Sequence, residues 1–278
     1  MKNKKWVYPL LIILCLAVFA GYKLIVSAAT DTKAPVISAL GDIQVEVAAD
    51  YSAFLTGVSA SDNRDGDVTG SIVVEKVELL DSDGTISVTY AAFDSAGNVA
   101  KTERTGMYTD YESPRFTLSA PLAFSSSNFD VLKIVGATDK IDGNIQHRVR
   151  ATLMDDASIT SMGVHDVQFR VTNSLGDAVE IILPVEVYSG SGYNAKLTLT
   201  DYLIYLPVGA DFDEDDYLNA MVCYGEEVAL SGENRNKYSV HTNGYVDTDT
   251  PGVYTISYEV VYNQIYIGYS KLIVVVEG

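Results

Sequence analysis

Three stretches of the chain alternate in the same way, and they constrain the fold more than anything else in it. "GTISVTYAAF", from Gly84, puts Ile86, Val88, Tyr90 and Ala92 on one side and Ser87, Thr89 and Ala91 on the other. "VHDVQFRVT", from Val164, puts Val167, Phe169 and Val171 on one side. "GVYTISYEVVY", from Gly252, does the same with Tyr254, Ile256, Tyr258, Val260 and Tyr262. A period of two with β-branched and aromatic residues predicts a strand with one face buried. Beyond residue 30 no long stretch has helical period. Short runs rich in Val, Ile, Thr and Tyr are broken by Gly, Asp, Asn and Ser every 8–12 residues or so, which predicts all-β sandwiches.

The copies lie about 80 residues apart, one sandwich per repeat. After the first two strands comes a tight hairpin, "DSAGN" from Asp94 and "NSLGD" from Asn173, each with a glycine suited to positive φ. The third copy has "NQIYIG" instead. Repeat one opens at "DTKAPVI" and repeat two at "DYESPRF", where Pro35 and Pro114 stand ahead of a first strand. Repeat three follows "YSGSGYN", a Gly/Ser-rich linker expected to be the more flexible junction. The expected domains are 33–109, 111–188 and 194–278.

Residues 1–29 carry Lys2, Lys4, Lys5 and Lys23 and no acid. "MKNKK" ahead of the apolar run "WVYPLLIILCLAVFAGY" reads as a signal peptide or a signal anchor. The basic flank predicts a single-pass membrane protein with an extracytoplasmic body, or a secreted one if the segment is cleaved. Leu14 precedes Cys15 where a lipoprotein signal needs a small residue. The rest of the chain holds 15 basic and 37 acidic residues, so it repels phosphate and is a poor partner for nucleic acid. Cys223 is the one cysteine of the body, which leaves no intradomain disulfide and no cysteine cluster for zinc. It reads as a small buried hydrophobe.

"ASDNRDGDVTGSI", from Ala60, crowds Asp62, Asn63, Asp65 and Asp67 together, and "ATDKIDGNIQHRV", from Ala137, repeats the pattern. Asp62, Asp65 and Asp67 are the candidate metal ligands. Calcium wants six to eight oxygens, so the remainder would come from elsewhere, with Asp110, Glu112, Asp94 and Asn98 the nearest candidates. The competing reading is a turn whose acids cap their own backbone. Repeat two favours the turn, because Lys140 and Asn144 replace Asn63 and Asp67. Apart from calcium no cofactor is expected. His147, His165 and His241 have no motif spacing and read as exposed single histidines, and no catalytic constellation is spelled out. Thirteen of the nineteen tyrosines lie from Tyr188 onward. Tyr202, Tyr205, Tyr217, Tyr224 and Tyr238 fit no single strand face; they serve β-propensity or a binding surface. "DFDEDDY", from Asp211, reads as a solvated loop.

"APVI", "ASDNRDGDVTGSI" and "GTISVTYAAFDSAGNVAK" together resemble the bacterial immunoglobulin-like repeats of cell-surface proteins, a type also appended to pesticidal crystal toxins. Repeat two is a diverged copy, with "ATDKIDGNI" and "FRVTNSLGDAV"; repeat three keeps only "GYVDTDTPGVYTISYEV". The resemblance implies three tandem immunoglobulin-like β-sandwiches after the N-terminal helix. It implies a non-catalytic surface protein whose domains are adhesive, ligand-binding or spacer modules for a protein or carbohydrate outside the cell. A secreted carbohydrate-binding accessory module is the alternative.

Overall fold

The computed structural model describes residues 7–29, 31–125, 130–154, 161–189, 192–230 and 237–278, with side chains in the N-terminal helix from Tyr8 to Lys23. The chain forms two compact units, Met1–Tyr111 and Glu112–Gly278. The expected boundary at 188–194 therefore lies inside the second unit.

The first unit begins with helix α1, Val7–Ala29. Among the described residues no helix is long and apolar enough to cross a membrane. The sandwich follows as β1 (Val36–Ala39), β2 (Ile43–Val45), the short helix α2 (Tyr51–Phe54), β3 (Val58–Asp62), β4 (Gly66–Asp67), β5 (Val73–Leu79), β6 (Thr85–Phe93) and β7 (Val99–Tyr108). One sheet has the order β1-β3-β4 and the other β2-β7-β6-β5. The expected inward face of β6 is the centre of the core: Ile86, Val88, Tyr90 and Ala92 are all fully buried. Tyr90 satisfies its hydroxyl by donating to the Phe54 carbonyl at 2.7 Å, so a tyrosine can sit there without an unpaired polar group. Gly106 on β7 lets β2 approach, since a Cβ there would lie 2.4 Å from Ile43 Cγ2.

The second unit opens with the same plan: β8 (Arg115–Leu118), β9 (Ala123–Phe124), β10 (Val135–Asp139), β11 (Gly143–Asn144), β12 (Arg150–Leu153), β13 (Gly163–Thr172) and β14 (Ala178–Val187). The sheets are β11-β10-β8 and β12-β13-β14-β9. Val167, Phe169 and Val171 of β13 are buried as the alternation predicts. Both glycine hairpins adopt the expected conformation, with Gly97 at φ +86° and Gly176 at φ +93°.

The third repeat departs from that plan. β15 (Ala195–Leu199), β16 (Leu203–Pro207), β17 (Leu218–Cys223), β18 (Glu226–Ala229), β19 (Tyr238–Asn243), β20 (Gly252–Tyr262) and β21 (Tyr266–Glu277) join one sheet. Its order is β18-β17-β15-β21-β20-β19, with β16 also on β21. Ser270 to Val274 of β21 are buried without alternation. Leu272, Val274 and Val276 enter the core of the third repeat, while Ile273 enters that of the second. A strand covered on both faces has no wet side, and its run "LIVVV" is accordingly apolar throughout. Cys223 is buried in the third core, as expected. In place of the glycine hairpin, Asn263 and Gln264 take positive φ, +51° and +59°.

Candidate functional site

The loop "ASDNRDGDVTGSI" links β3 to β4, and its acids hold its own backbone. Asp62 Oδ1 accepts from the amides of Arg64 (2.7 Å) and Asp65 (3.1 Å), and Asp67 Oδ1 accepts from Thr69 N at 2.9 Å. Asp65 spans to the β6–β7 hairpin, where Oδ2 accepts from Ser95 N (2.7 Å) and Oδ1 from the Ser95 hydroxyl (2.8 Å). Gly66 sits at φ +74°, which the turn requires. Asp62, Asp65 and Asp67 therefore do not converge as a ligand set. Asp65 and Asp67 have oxygens committed to the loop and the hairpin.

Asp62 belongs to a different group. Asp31, Asp62 and Asp94 each bring a carboxylate oxygen within 4.8 Å of the others. Pairing of β1 with β3 carries the segment ahead of β1 to the end of β3, where Val36 faces Ser61. Asp94 opens the β6–β7 hairpin at the same end. Asn98 ties the three parts together: its side-chain amide donates to Asp94 Oδ2 (2.7 Å) and to the Asp31 carbonyl (3.3 Å). Asp62 and Asp94 are 8% and 5% exposed, and the Asp31 side chain is 9% exposed. Oδ2 of Asp31 and Oδ2 of Asp62 are buried without a hydrogen-bond partner. The Arg64 guanidinium stands 3.8 Å from Asp31 Oδ2 and is itself 44% exposed. The Arg64 and Asp65 amides hold the Asp62 carboxyl below the usual carboxylate range. Desolvation pushes Asp94 up, but the side-chain and backbone donors of Asn98 outweigh it, so its carboxyl also lies low, with the charge of Asp62 opposing. Both are ionised at neutral pH.

Asp110 does not join this pole. It follows the far end of β7 from the hairpin, about 30 Å away along a ten-residue strand, and accepts from Val47 N at 2.8 Å. Glu112 lies in the second unit and reaches Lys140 at 3.4 Å. The matching pole of the second sandwich is internally satisfied. Asp139 Oδ1 accepts from the Ile141 and Asp142 amides, as Asp62 does from its own loop. Its Oδ2 accepts from the Asn173 side-chain amide at 3.2 Å, where the first sandwich has Asp94.

Two other polar regions stand out. The junction expected to be flexible is fastened on both sides by tyrosines. Tyr188 and Tyr193 pack on each other (5.5 Å between centroids) and both on Tyr269 of β21 (5.0 and 5.2 Å). Beneath them Glu186 accepts from the Tyr269 hydroxyl (2.9 Å) and pairs with Lys271 at 2.5 Å, whose side chain is 9% exposed. Burial, with Glu186 beside it, pushes the Tyr269 phenol up. Tyr205 is pushed up to about 12 by desolvation. It carries Arg115 over its ring at 4.9 Å, and Arg115 pairs with Glu277 at 2.9 Å. Of the tyrosines unexplained by one strand face, Tyr202, Tyr217 and Tyr238 pack against the third core, and Tyr224 alone is strongly exposed, at 90%. Its ring meets Tyr266 nearly at right angles (83°), which is no flat platform for a sugar. His165 corrects the expectation of exposure: it is buried, with Nε2 2.8 Å from the Ser161 carbonyl. In "DFDEDDY", Asp213 Oδ1 caps the turn at Asp215 N, and the Glu214 carbonyl accepts from the Tyr258 hydroxyl. The loop is thus tied to the core as well as solvated.

No protein-family model and no curated protein matches the chain. Among solved structures it is similar to the CBM51-2 and INT domains of Clostridium perfringens ZmpB in complex with GlcNAc. That match has 14% identity over 86% of this chain and 41% of that one, at a TM-score of 0.23. It is also similar to mouse cadherin-23 EC22–24 (12% identity, 88% and 99% covered, TM-score 0.18). A third is the lipoprotein BT2262 from Bacteroides thetaiotaomicron (14%, 86% and 98%, TM-score 0.20). The chain spans about two-fifths of the Clostridium chain. Likenesses this distant carry no argument about ligand or role, so the resemblance to bacterial immunoglobulin-like repeats rests on the motifs quoted above.

Proposed function

We infer that this is a non-catalytic, extracytoplasmic module in which helix α1 holds tandem β-sandwiches to a membrane and the third repeat is presented outward as a spacer or binding end. The observation that carries the reading is the surface of α1. Leu10, Ile12, Ile13, Leu14, Leu16 and Phe19 are each about 60% exposed, on every side of the helix. A helix apolar all round stays in water only at a high cost, and a bilayer is the surrounding that removes it. The lysines ahead of it keep the N-terminus inside and put the acidic body outside. In the third repeat, Tyr224, Tyr245 and Ile265 are exposed apolar surface of the kind protein partners use.

The test is fractionation of cells that make the full chain, followed by protease treatment of intact cells. The expected result is a membrane-bound protein, released by detergent and not by high salt, whose body is digested from outside. A soluble protein in the cytoplasm, or a body protected in intact cells, would refute the reading. The alternative of carbohydrate binding has the tilted Tyr224–Tyr266 pair against it; saturable binding to a glycan, lost in Tyr224→Ala, would restore it.

A further inference from the structure

We propose that Asp31, Asp62 and Asp94 bind one calcium ion, which clamps the segment ahead of β1 onto the pole of the first sandwich. Three carboxylates here share one partly exposed guanidinium, and two of their oxygens are buried with no donor. Buried acceptors in folded proteins are satisfied, and an unpaired buried charge is costly enough that something normally compensates it. Among the described residues no hydrogen-bond donor reaches these two oxygens. Both Asn98 amide contacts go to Asp94 Oδ2 and the Asp31 carbonyl, and the loop amides go to Asp62 Oδ1. The vacant oxygens, Asp31 Oδ2 and Asp62 Oδ2, belong to the same group of three.

The chemistry of the donors selects the ion. All are hard carboxylate oxygens, with no nitrogen or sulfur among the three, which favours calcium or magnesium over transition metals. Oxygens this close can share one ion. Calcium takes several protein carboxylates in a flexible shell, whereas magnesium demands near-octahedral geometry and keeps most of its waters, so a three-carboxylate pole suits calcium better. Water and carbonyls complete the six to eight ligands. Asp31 is what makes the site more than a turn. It lies two residues beyond the end of α1, so the ion fixes the start of the domain to two loops that the chain reaches only later.

The second sandwich supplies the test variant. Asn173 stands where Asp94 does, and its Oδ1 accepts from the Leu175 and Asp177 amides, so asparagine is compatible with this hairpin. The experiment is thermal unfolding of the full chain in mild detergent, in EDTA and with calcium or magnesium raised to about 5 mM, above the ~10⁻⁴–10⁻³ M range of extracellular calcium modules. Wild type is expected to melt higher in calcium, and trypsin cleavage after Lys33 is expected to slow. Asp94→Asn is expected to melt at or above wild type in EDTA, because repulsion against Asp62 is gone, and to lose the calcium response, with affinity down at least about tenfold. Asp31→Asn should behave alike, whereas Asp65→Asn and Asp67→Asn keep the response. A purely structural role for Asp94 would instead lower the melting temperature equally with and without calcium. The proposal fails if wild type shows no calcium response, if the response survives both Asp94→Asn and Asp31→Asn, or if magnesium acts as well as calcium.

Discussion

At the pole of the first sandwich an aspartate, Asp94, approaches Asp62; at the pole of the second an asparagine, Asn173, donates to Asp139. Part of the surroundings is shared. Each loop aspartate accepts from two amides of its own turn, and each "DG" aspartate accepts from a hairpin serine, Asp65 from Ser95 and Asp142 from Ser174. Where Asn173 donates to Asp139 Oδ2, Asp94 has no hydrogen to give, and Asp62 Oδ2 stays without a donor; Asp31 adds a second such oxygen to the first pole. The flanks differ too. Met107 on β7 is 37% exposed, while Glu186 at the matching place on β14 is paired with Lys271 and Tyr269 of the third repeat. The same backbone plan therefore offers a polar end in one copy and a docking flank in the other.

Four substitutions put this comparison at risk. The largest expected effect is at the flank. Lys271→Ala leaves Glu186 with only the Tyr269 hydroxyl in a mostly buried place and should cost about 3–5 kcal/mol in urea unfolding. If it costs no more than Met107→Ala, the seam between the second and third repeats does not hold them. Next, Asn173→Asp sets two carboxylates 3.2 Å apart in a pole whose members are 5% and 7% exposed. A loss of roughly 2–4 kcal/mol is expected; a neutral result would mean that the amide contact is incidental. Smaller is Gln264→Gly, which gives the third hairpin the residue its positive φ prefers. It should gain about 0.5–1 kcal/mol, read from the same unfolding curves.

The smallest effect concerns pH. Desolvation raises Asp142, but Ser174 and Arg148 outweigh it, so its folded pKa lies below the ordinary 3.8. Its stabilisation is complete above that value and disappears as pH falls through the folded pKa. Wild type should therefore lose stability on acidification below about pH 4, and Asp142→Asn should lose less. Parallel acid titrations of the two would show no divergence if the Asp142 contacts contribute nothing.

The strands were readable because their signal is local. Ile86, Val88, Tyr90 and Ala92 declare a face by alternation, and all four are fully buried. Asp62 was readable from the density of acids around it. Asp94 was readable only as one of several candidates for the remaining oxygens, and Asp31 not at all, because they meet Asp62 only after β1 pairs with β3 and the hairpin folds over; the sequence separation is too great for any spacing rule. A signal did exist in the repeat itself. "DTKAPVI" and "DYESPRF" align Asp31 with Asp110, and "DSAGN" and "NSLGD" align Asp94 with Asn173, so both positions recur in the sequence of the second repeat. The closeness of the second and third repeats was masked by the Gly/Ser linker, although the unbroken "LIVVV" already pointed to a strand with two covered faces.

Each repeat pairs an early strand with its last one in parallel: β2 with β7, β9 with β14, and β16 with β21. Tension applied to the chain ends of such a domain drags these two strands past one another, and their cross-strand bonds share the load together instead of opening in turn. The first and second repeats offer three and two paired positions for this and the third offers five, Leu203–Pro207 against Ile273–Glu277. A protein held at one end and pulled at the other would thus give way first in the first two repeats and last in the third.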